Sequence, residues 1–133
     1  MKRVGRIVLD TNIISDINNN VSETIAYLKL AKEIFTSSIV AGELFYGIEN
    51  SSQKEANLKF YRDFFASCAI LGVTIETAEF YGSIKAKLRR KGTPIPENDI
   101  WIAAIALQHD LLLVTRDRHF ALIDELQIKL LGK

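Results

Sequence analysis

The chain has very little cysteine, and this scarcity excludes one common way of holding a small protein together. Only one of its 133 residues is a cysteine, Cys68, so no internal disulfide framework can form. A single thiol fits a reducing compartment, and we expect a cytoplasmic protein. Neither sign of charge is in excess, since Lys and Arg total 17 and Asp and Glu total 16. Any binding of nucleic acid therefore has to be local.

Long hydrophobic runs and linker-like stretches are also missing. The basic start, MKRVGRIVLD, has an apolar segment of only a few residues before Asp10 interrupts it, which is too short for a signal peptide or a membrane span. No internal repeat, low-complexity tract or region rich in proline and glycine divides the chain. With 48% hydrophobic residues, we expect one domain over residues 1–133 with a sizeable core and no membrane association.

Strand-like and helix-like segments alternate along the sequence. The apolar runs RIVLD, EIFTSS, AILGV, LLLVT and IKLL are predicted as strands, with helices between them. Ser37 or Ser38 is expected to begin one helix, Thr74 another that stops at Gly92, and the pair Asn20 and Glu23 a third that runs to about Lys32. Strands separated by helices require right-handed crossovers. The pattern therefore predicts an α/β sandwich with a mostly parallel sheet covered on both faces.

Four acids are predicted to meet at one edge of this sheet. Asp10 follows the first strand and Asp117 follows LLLVT, and functional groups gather at such strand ends in open parallel sheets. Glu43 lies in the first turns of the helix after the second strand, and Asp99 near the start of the helix after Pro96. Ionised carboxylates about 5 Å apart repel by about 3 kcal/mol per pair at an effective dielectric of about 20. Either some of them hold protons or a cation neutralises them.

The donor types select the cation. All four acids are oxygen ligands, the sequence has neither a cysteine cluster nor an HExxH pattern, and its histidines, His109 and His119, are isolated in sequence. Hard Mg²⁺ or Mn²⁺ therefore fits better than Zn²⁺. Such an ion lowers the pKa of an attacking water and bears charge that builds on phosphoryl oxygens. Because no GxxxxGKS loop is present to hold a nucleoside triphosphate, hydrolysis of a phosphodiester is the favoured reaction.

At these residues the sequence resembles the PIN-domain nucleases, and more narrowly the VapC toxins of toxin–antitoxin pairs. The likeness runs nearly end to end, through LDTNIIS, SSIVAGELFYGIE, GTPIPENDIWIAAIA and LLVTRDRHF, in the order and at the separations usual in the family. The resemblance implies a three-layer α/β/α fold and a Mg²⁺- or Mn²⁺-dependent endoribonuclease. It also implies homodimerisation and inhibition by a cognate antitoxin protein.

The resemblance further implies roles for individual residues. Asp10 and Asp99 become the expected direct metal ligands. Glu43 would complete the acidic pocket, orient or deprotonate the attacking water and offer a further ligand, and Asp117 would bind or orient a metal directly or through water. Candidates for hydrogen bonds that aim these catalytic carboxylates are Thr11, Asn12, Asn98 and Thr115.

Each acid also has a purely structural interpretation. Asp10 could be a helix N-cap, Asp99 a favourable charge in a first helical turn, and Asp117 a turn stabiliser. Glu43 could be an exposed helical acid. The four linked motifs favour the functional interpretation, least strongly for Asp117.

Basic residues indicate where RNA could bind. The candidates are Lys85, Lys87, Arg89 and Arg90 in the run KAKLRRKG, with Arg116 and Arg118 beside Asp117. The run is explained equally well as the solvated end of a helix, whose cations complement the macrodipole. Arg116, Arg118 and His119 could bind phosphate near the metal, or pair with acids instead.

Three other functions stay open on the sequence alone. The same fold and acids would serve a housekeeping nuclease that processes RNA or cleaves DNA. A non-catalytic interaction domain would have its acidic pocket filled by an arginine from a bound partner. A phosphoryl-accepting Asp10, as in haloacid-dehalogenase phosphatases or receiver domains, expects a second acid close after it and a lysine late in the sheet. This chain has Thr11 and Asn12 after Asp10, and Arg116 in place of the lysine. The phosphoryl-accepting function is therefore the least favoured.

Overall fold

The computed structural model describes residues 4–132, so part of the basic start, residues 1–3, lies outside the described range, as does residue 133. The strands are β1 (Val4–Leu9), β2 (Ala31–Ser37), β3 (Ala69–Leu71), β4 (Leu112–Thr115) and β5 (Ile128–Leu130). The helices are α1 (Thr11–Asn18), α2 (Ser22–Leu28), α3 (Ser38–Gly47), α4 (Lys54–Ala66), α5 (Ile75–Lys91) and α6 (Glu97–Gln108). A 3₁₀ turn, Arg118–Leu122, precedes β5. Over this range no helix has both the length and the apolar character needed to cross a bilayer.

The five strands form one parallel sheet in the order β3-β2-β1-β4-β5. From β1 the chain moves outward through β2 to β3 on one side, and it builds β4 and β5 on the other. The order therefore reverses between β1 and β4, and a crevice opens at the carboxyl ends of strands at such a switch point. The predicted α/β fold with a mostly parallel sheet is confirmed, and the pairing is parallel throughout.

Burial along β1 shows that helices cover both faces of the sheet. Ile7, Val8 and Leu9 are each 0% exposed, and successive side chains of a strand point to opposite faces. Full burial of consecutive residues therefore requires a helical layer on each side, which gives three layers. Helix α6 is similarly enclosed, since residues 102–106 are all buried. This enclosure gives the acid at its start, Asp99, a rigid support.

Several helix ends lie where the sequence predicts them. Ser37 precedes α3, and its hydroxyl accepts a hydrogen bond from the Val40 N–H at 3.1 Å. Thr74 precedes α5 in a reciprocal capping arrangement with Thr77. Gly92 ends α5 with φ of 72°, a left-handed conformation that favours glycine. These local signals are confirmed.

The expected end of the second helix is wrong. Helix α2 stops at Leu28 instead of reaching Lys32, and Val21 occupies its cap position without a side-chain hydrogen bond. Asn20 instead adopts a positive φ of 56°. The helix stops early because residues from Ala31 onward pair with β1, beginning with the Val4 to Ala31 register. Strand pairing across the sheet overrides the local helical pattern.

The Arg116 side chain forms hydrogen bonds with three parts of the fold next to the crevice. Its Nε donates to Asp16 Oδ2 at 2.7 Å, its Nη2 to Thr24 Oγ1 at 3.2 Å and its Nη1 to the Leu131 carbonyl at 3.2 Å. Thr24 Oγ1 also donates to Asp16 Oδ2, at 2.6 Å. The guanidinium thus joins α1, α2 and the segment after β5. Its neighbour Gly132 has φ of 75°, and a Cβ there would lie 1.8 Å from Arg116 Nη1.

Replacing Arg116 with alanine is expected to destabilise the fold by about 2 kcal/mol, because Asp16 would keep a largely buried charge without its partner. The side chains of Arg116 and Asp16 are 29% and 14% exposed, so water compensates for part of the loss. Thermal unfolding followed by circular dichroism should show a melting temperature lower by about 8 °C. Arg118→Ala, at an exposed position two residues away, is the control. Equal melting temperatures for the two variants would contradict the assignment.

Candidate active site

The carboxyl ends of β1 and β4 and the early turns of α3 and α6 surround one open pocket of about 520 Å³. The residues that line it are Asp10, Thr11, Asn12, Ser15, Asp16, Glu43, Asp99 and Asp117. The structure therefore brings together the four acids selected from the sequence, although 107 positions separate the first from the last. Topology explains this proximity, because β1 and β4 are neighbours at the switch point.

Asp10 is the most enclosed of the four acids, at 4% exposed. Its Oδ1 accepts a hydrogen bond from the Thr11 N–H at 2.7 Å, and its Oδ2 accepts one from Thr115 Oγ1 at 2.6 Å. Burial raises the pKa of Asp10, and the charges of Glu43 and Asp117 add to that rise, while the two hydrogen bonds oppose it. Asp10 caps α1 and also lines the pocket, so the structural and functional interpretations are compatible.

Glu43 is held from two sides. The Thr11 hydroxyl donates to its Oε1, and Asn98 Nδ2 donates to its Oε2 at 3.1 Å. Because Thr11 belongs to α1 and Asn98 to α6, these bonds fix the Glu43 carboxylate relative to two other elements of the pocket wall. Thr11 and Asn98 thus both hold the Glu43 carboxylate, and their contribution to catalysis stays a prediction.

Thr115 connects Asp10 to the turn that carries Asp117. Its hydroxyl donates to Asp10 and accepts a hydrogen bond from the Asp117 N–H at 2.9 Å. Asn12 adds a second link, since its Oδ1 accepts from the Arg116 N–H at 3.1 Å, whereas its amide lies 3.4 Å from Asp10 Oδ2. The positions of Asp10 and Asp117 are therefore coupled through short polar contacts.

Asp99 has the most perturbed acidity in the pocket. Burial and, to a lesser extent, the charges of Asp10, Asp117 and Glu43 together raise its pKa to about 7, while His119 opposes the rise. The charged form of the Asp99 carboxyl is therefore disfavoured near neutral pH. A set of oxygen donors that repel one another to this extent fits a divalent cation, which would remove the repulsion and the proton together.

A histidine that the sequence did not select as a ligand joins this cluster. One ligand atom each from Asp99, Asp117 and His119 lies within 4.8 Å of the others. The sequence suggested His119 as a phosphate contact or as a partner of the acids, and not as a metal ligand, because histidines isolated in sequence give little metal signal. Its spacing of two residues from Asp117 in a tight turn was the one available clue.

The basic candidates lie outside this pocket. Lys85 pairs with Glu97 at 2.8 Å, Lys87 pairs with Glu125, and Arg116 pairs with Asp16. Arg89 lines a separate groove of about 380 Å³ together with Lys85, Gly92 and Pro94. Arg90 and Arg118 are exposed. Three of the six thus have ion pairs within the protein, and contact between RNA and any of the six stays a prediction.

Comparison with known families agrees with this geometry. The profile of the PIN domain matches residues 7–126, which is most of the chain and includes all four pocket acids. The chain belongs to the PIN-domain family. The resemblance seen in the sequence is thereby confirmed.

Named relatives of this PIN-domain chain include bacterial ribonucleases. It is 38% identical over 114 residues to Ribonuclease VapC2 of Haemophilus influenzae, which covers 84% of this chain and 86% of that protein. It is 37% identical over 94 residues to the tRNA(fMet)-specific endonuclease VapC of Salmonella typhimurium, with 70% and 71% of the two chains covered.

Solved structures with the same PIN-domain fold include two complexes on DNA. VapBC2 from Rickettsia felis, bound to a DNA fragment from their promoter, superposes with a TM-score of 0.87 at 30% identity over 96% of this chain and 99% of that one. DNA-bound VapBC from Salmonella typhimurium superposes with a TM-score of 0.84 at 33% identity over 97% and 98% of the two chains. The predicted three-layer α/β/α architecture is confirmed.

Proposed function

We propose that this protein is a metal-dependent endoribonuclease that hydrolyses RNA phosphodiester bonds as the toxin of a toxin–antitoxin pair. The observation that carries the chemistry is the convergence of Asp10, Glu43, Asp99 and Asp117 in one open pocket at the switch point of the sheet. RNA as the substrate is supported by relatives named as a ribonuclease and as a tRNA endonuclease. A cytoplasmic site of action is part of the proposal.

Asp10 and Asp99 are the residues expected to hold the cation directly, with Asp117 and Glu43 completing the negative pocket. We propose Mg²⁺ or Mn²⁺, because the carboxylate-rich donor set suits hard cations. When bound, the ion would supply a lowered pKa for the attacking water and positive charge beside the phosphoryl oxygens. The chain supplies no nucleophile of its own in this scheme.

The remaining chemistry belongs to side chains whose positions are already fixed. Thr115 and the Thr11 N–H hold the two Asp10 oxygens in set directions, so this ligand needs little reorganisation. Glu43 keeps free lone pairs beside its bonds from Thr11 and Asn98, and we propose that its carboxylate orients the water and accepts its proton. Prearranged groups of this kind lower a barrier because they do not have to reorient during the reaction.

The proposed partners are a cognate antitoxin and a second copy of the chain. The antitoxin is supported by structural relatives that were solved as VapBC complexes. An arginine or lysine of the antitoxin that reached among the acids would neutralise the charge that the cation otherwise neutralises. The homodimer rests on the family resemblance alone.

The test is RNA cleavage by the purified protein with Mg²⁺ or Mn²⁺, combined with growth after induced expression. We expect cleavage and growth arrest, both abolished by Asp10→Asn. Asp63→Asn, an exposed acid on α4 paired with Lys59, is the matched control and should keep both effects. Absence of cleavage with either ion, together with equal growth of cells making the parent protein or Asp10→Asn, would contradict the proposal. Sequencing the cut RNA ends would identify the bond that is cleaved.

A further inference from the structure

A histidine side chain, that of His119, places a ring nitrogen at the edge of the acid pocket, where it could bind a metal ion. His119 lies in the 3₁₀ turn after β4, and its Nδ1 is 2.9 Å from Asp117 Oδ1. Its ring, Asp99 and Asp117 each place a ligand atom within 4.8 Å of the other two. At such separations, small side-chain rotations suffice to bring three donors onto one ion.

The turn fixes the imidazole next to the acids without burying it. The His119 N–H donates to Asp117 Oδ1 at 2.9 Å, and the Asp117 N–H donates to Thr115 Oγ1. Phe120, the next residue, is 0% exposed and anchors the turn in the core. The His119 side chain itself is 56% exposed. An ion arriving from solvent can therefore reach an imidazole whose backbone position is already set.

We propose that His119 is a further protein ligand of the divalent ion, on the side of the pocket where Asp99 and Asp117 lie, and that its imidazole makes this site prefer Mn²⁺ to Mg²⁺. The inference rests on the proposed function, since the ion is the one on which the nuclease depends. Imidazole nitrogen suits transition-metal ions, whereas Mg²⁺ takes oxygen ligands almost exclusively. The opposite wall of the pocket, with Asp10 and Glu43, offers oxygen only. His119 is thus the group that can discriminate between these two ions.

Calorimetric titration of the full chain with Mn²⁺ and with Mg²⁺ at a fixed pH of about 8 tests this assignment. His119→Gln is expected to weaken Mn²⁺ binding by about tenfold or more and to change Mg²⁺ binding by less than about threefold. His109→Gln makes the same chemical change at the C-terminal end of α6, about 15 Å along the helix from Asp99. This control should alter neither affinity.

A second measurement follows ion binding in the parent protein itself. The chain contains two histidines, so their ring proton resonances can be followed while the diamagnetic ion Zn²⁺ is added to the parent protein. The His119 resonances should shift in step with ion binding, and those of His109 should stay in place. Spectra of the two glutamine variants assign the signals, and thermal unfolding confirms that both variants fold.

The outcomes separate this inference from the proposed function. If the parent protein binds Mn²⁺ and cleaves RNA while His119→Gln keeps the full Mn²⁺ affinity, the ligand assignment is overturned and the nuclease stands. The same holds if Zn²⁺ binds without moving the His119 resonances. If the parent protein binds neither Mn²⁺ nor Mg²⁺, the metal-dependent nuclease fails and the His119 site fails with it.

Discussion

Asp99→Asn is expected to lower RNA cleavage by at least about a thousandfold while raising the stability of the metal-free protein. The amide removes one proposed direct ligand and one negative charge from the cation site. A thousandfold loss corresponds to about 4 kcal/mol of transition-state stabilisation, within what a bound metal ion contributes. Initial rates on a defined RNA at saturating Mn²⁺ measure the loss, with Asp63→Asn as the control.

The gain in stability follows from the acidity of Asp99. Burial, with the charges of three neighbouring acids, raises its pKa to about 7 and so disfavours its charged form, whereas asparagine carries no charge. The melting temperature of the metal-free variant should exceed that of the parent at pH 8, and the two should converge near pH 4, where the carboxyl is protonated in the parent. A variant that is both inactive and less stable at pH 8 would show that Asp99 has a structural role instead. Retention of activity within tenfold would remove it from the proposed ligands.

Local signals in the sequence predicted most of the fold. Ser37, Thr74 and Gly92 mark helix ends because a side-chain cap or a left-handed glycine acts over only three or four residues. The predicted end of α2 was wrong because it depends on a contact that is distant in sequence. Ala31 pairs with Val4 in the sheet, and the residues near Ala31 do not reveal this pairing. The extent of the domain over residues 1–133 stays a prediction.

The pocket acids could be found because the topology of a parallel sheet relates strand ends that are distant in sequence. Asp10 and Asp117 each follow a buried strand, and such ends meet at one edge. The pairing of Arg116 with Asp16 could not be predicted, because it depends on side-chain directions across 100 positions. His119 illustrates the same limit. Its place in a 3₁₀ turn, which the sequence did not predict, brings it to Asp99.

The metal-free protein is expected to lose stability as pH rises from about 4 to about 7. Asp99 has a folded-state pKa raised from 3.8 to about 7, so between these values the folded state binds more protons than the unfolded state. Unfolding then releases protons, and higher pH favours it. Burial raises the pKa of Asp10 in the same direction. Thermal unfolding in a metal chelator across this pH range should show the decline, with a smaller slope for Asp99→Asn.

Binding of Mn²⁺ should reverse that decline and should itself depend steeply on pH. Because the ion displaces the proton held by Asp99, its affinity should fall with a slope that approaches tenfold for each pH unit below 7, or about fiftyfold between pH 7 and pH 5. Calorimetry at several pH values measures this slope. Potassium chloride at matched ionic strength controls for simple screening of the acids. A Mn²⁺ affinity that stays constant between pH 5 and pH 7 would mean that the ion binds away from Asp99. An ion bound elsewhere would not have to displace the proton of Asp99.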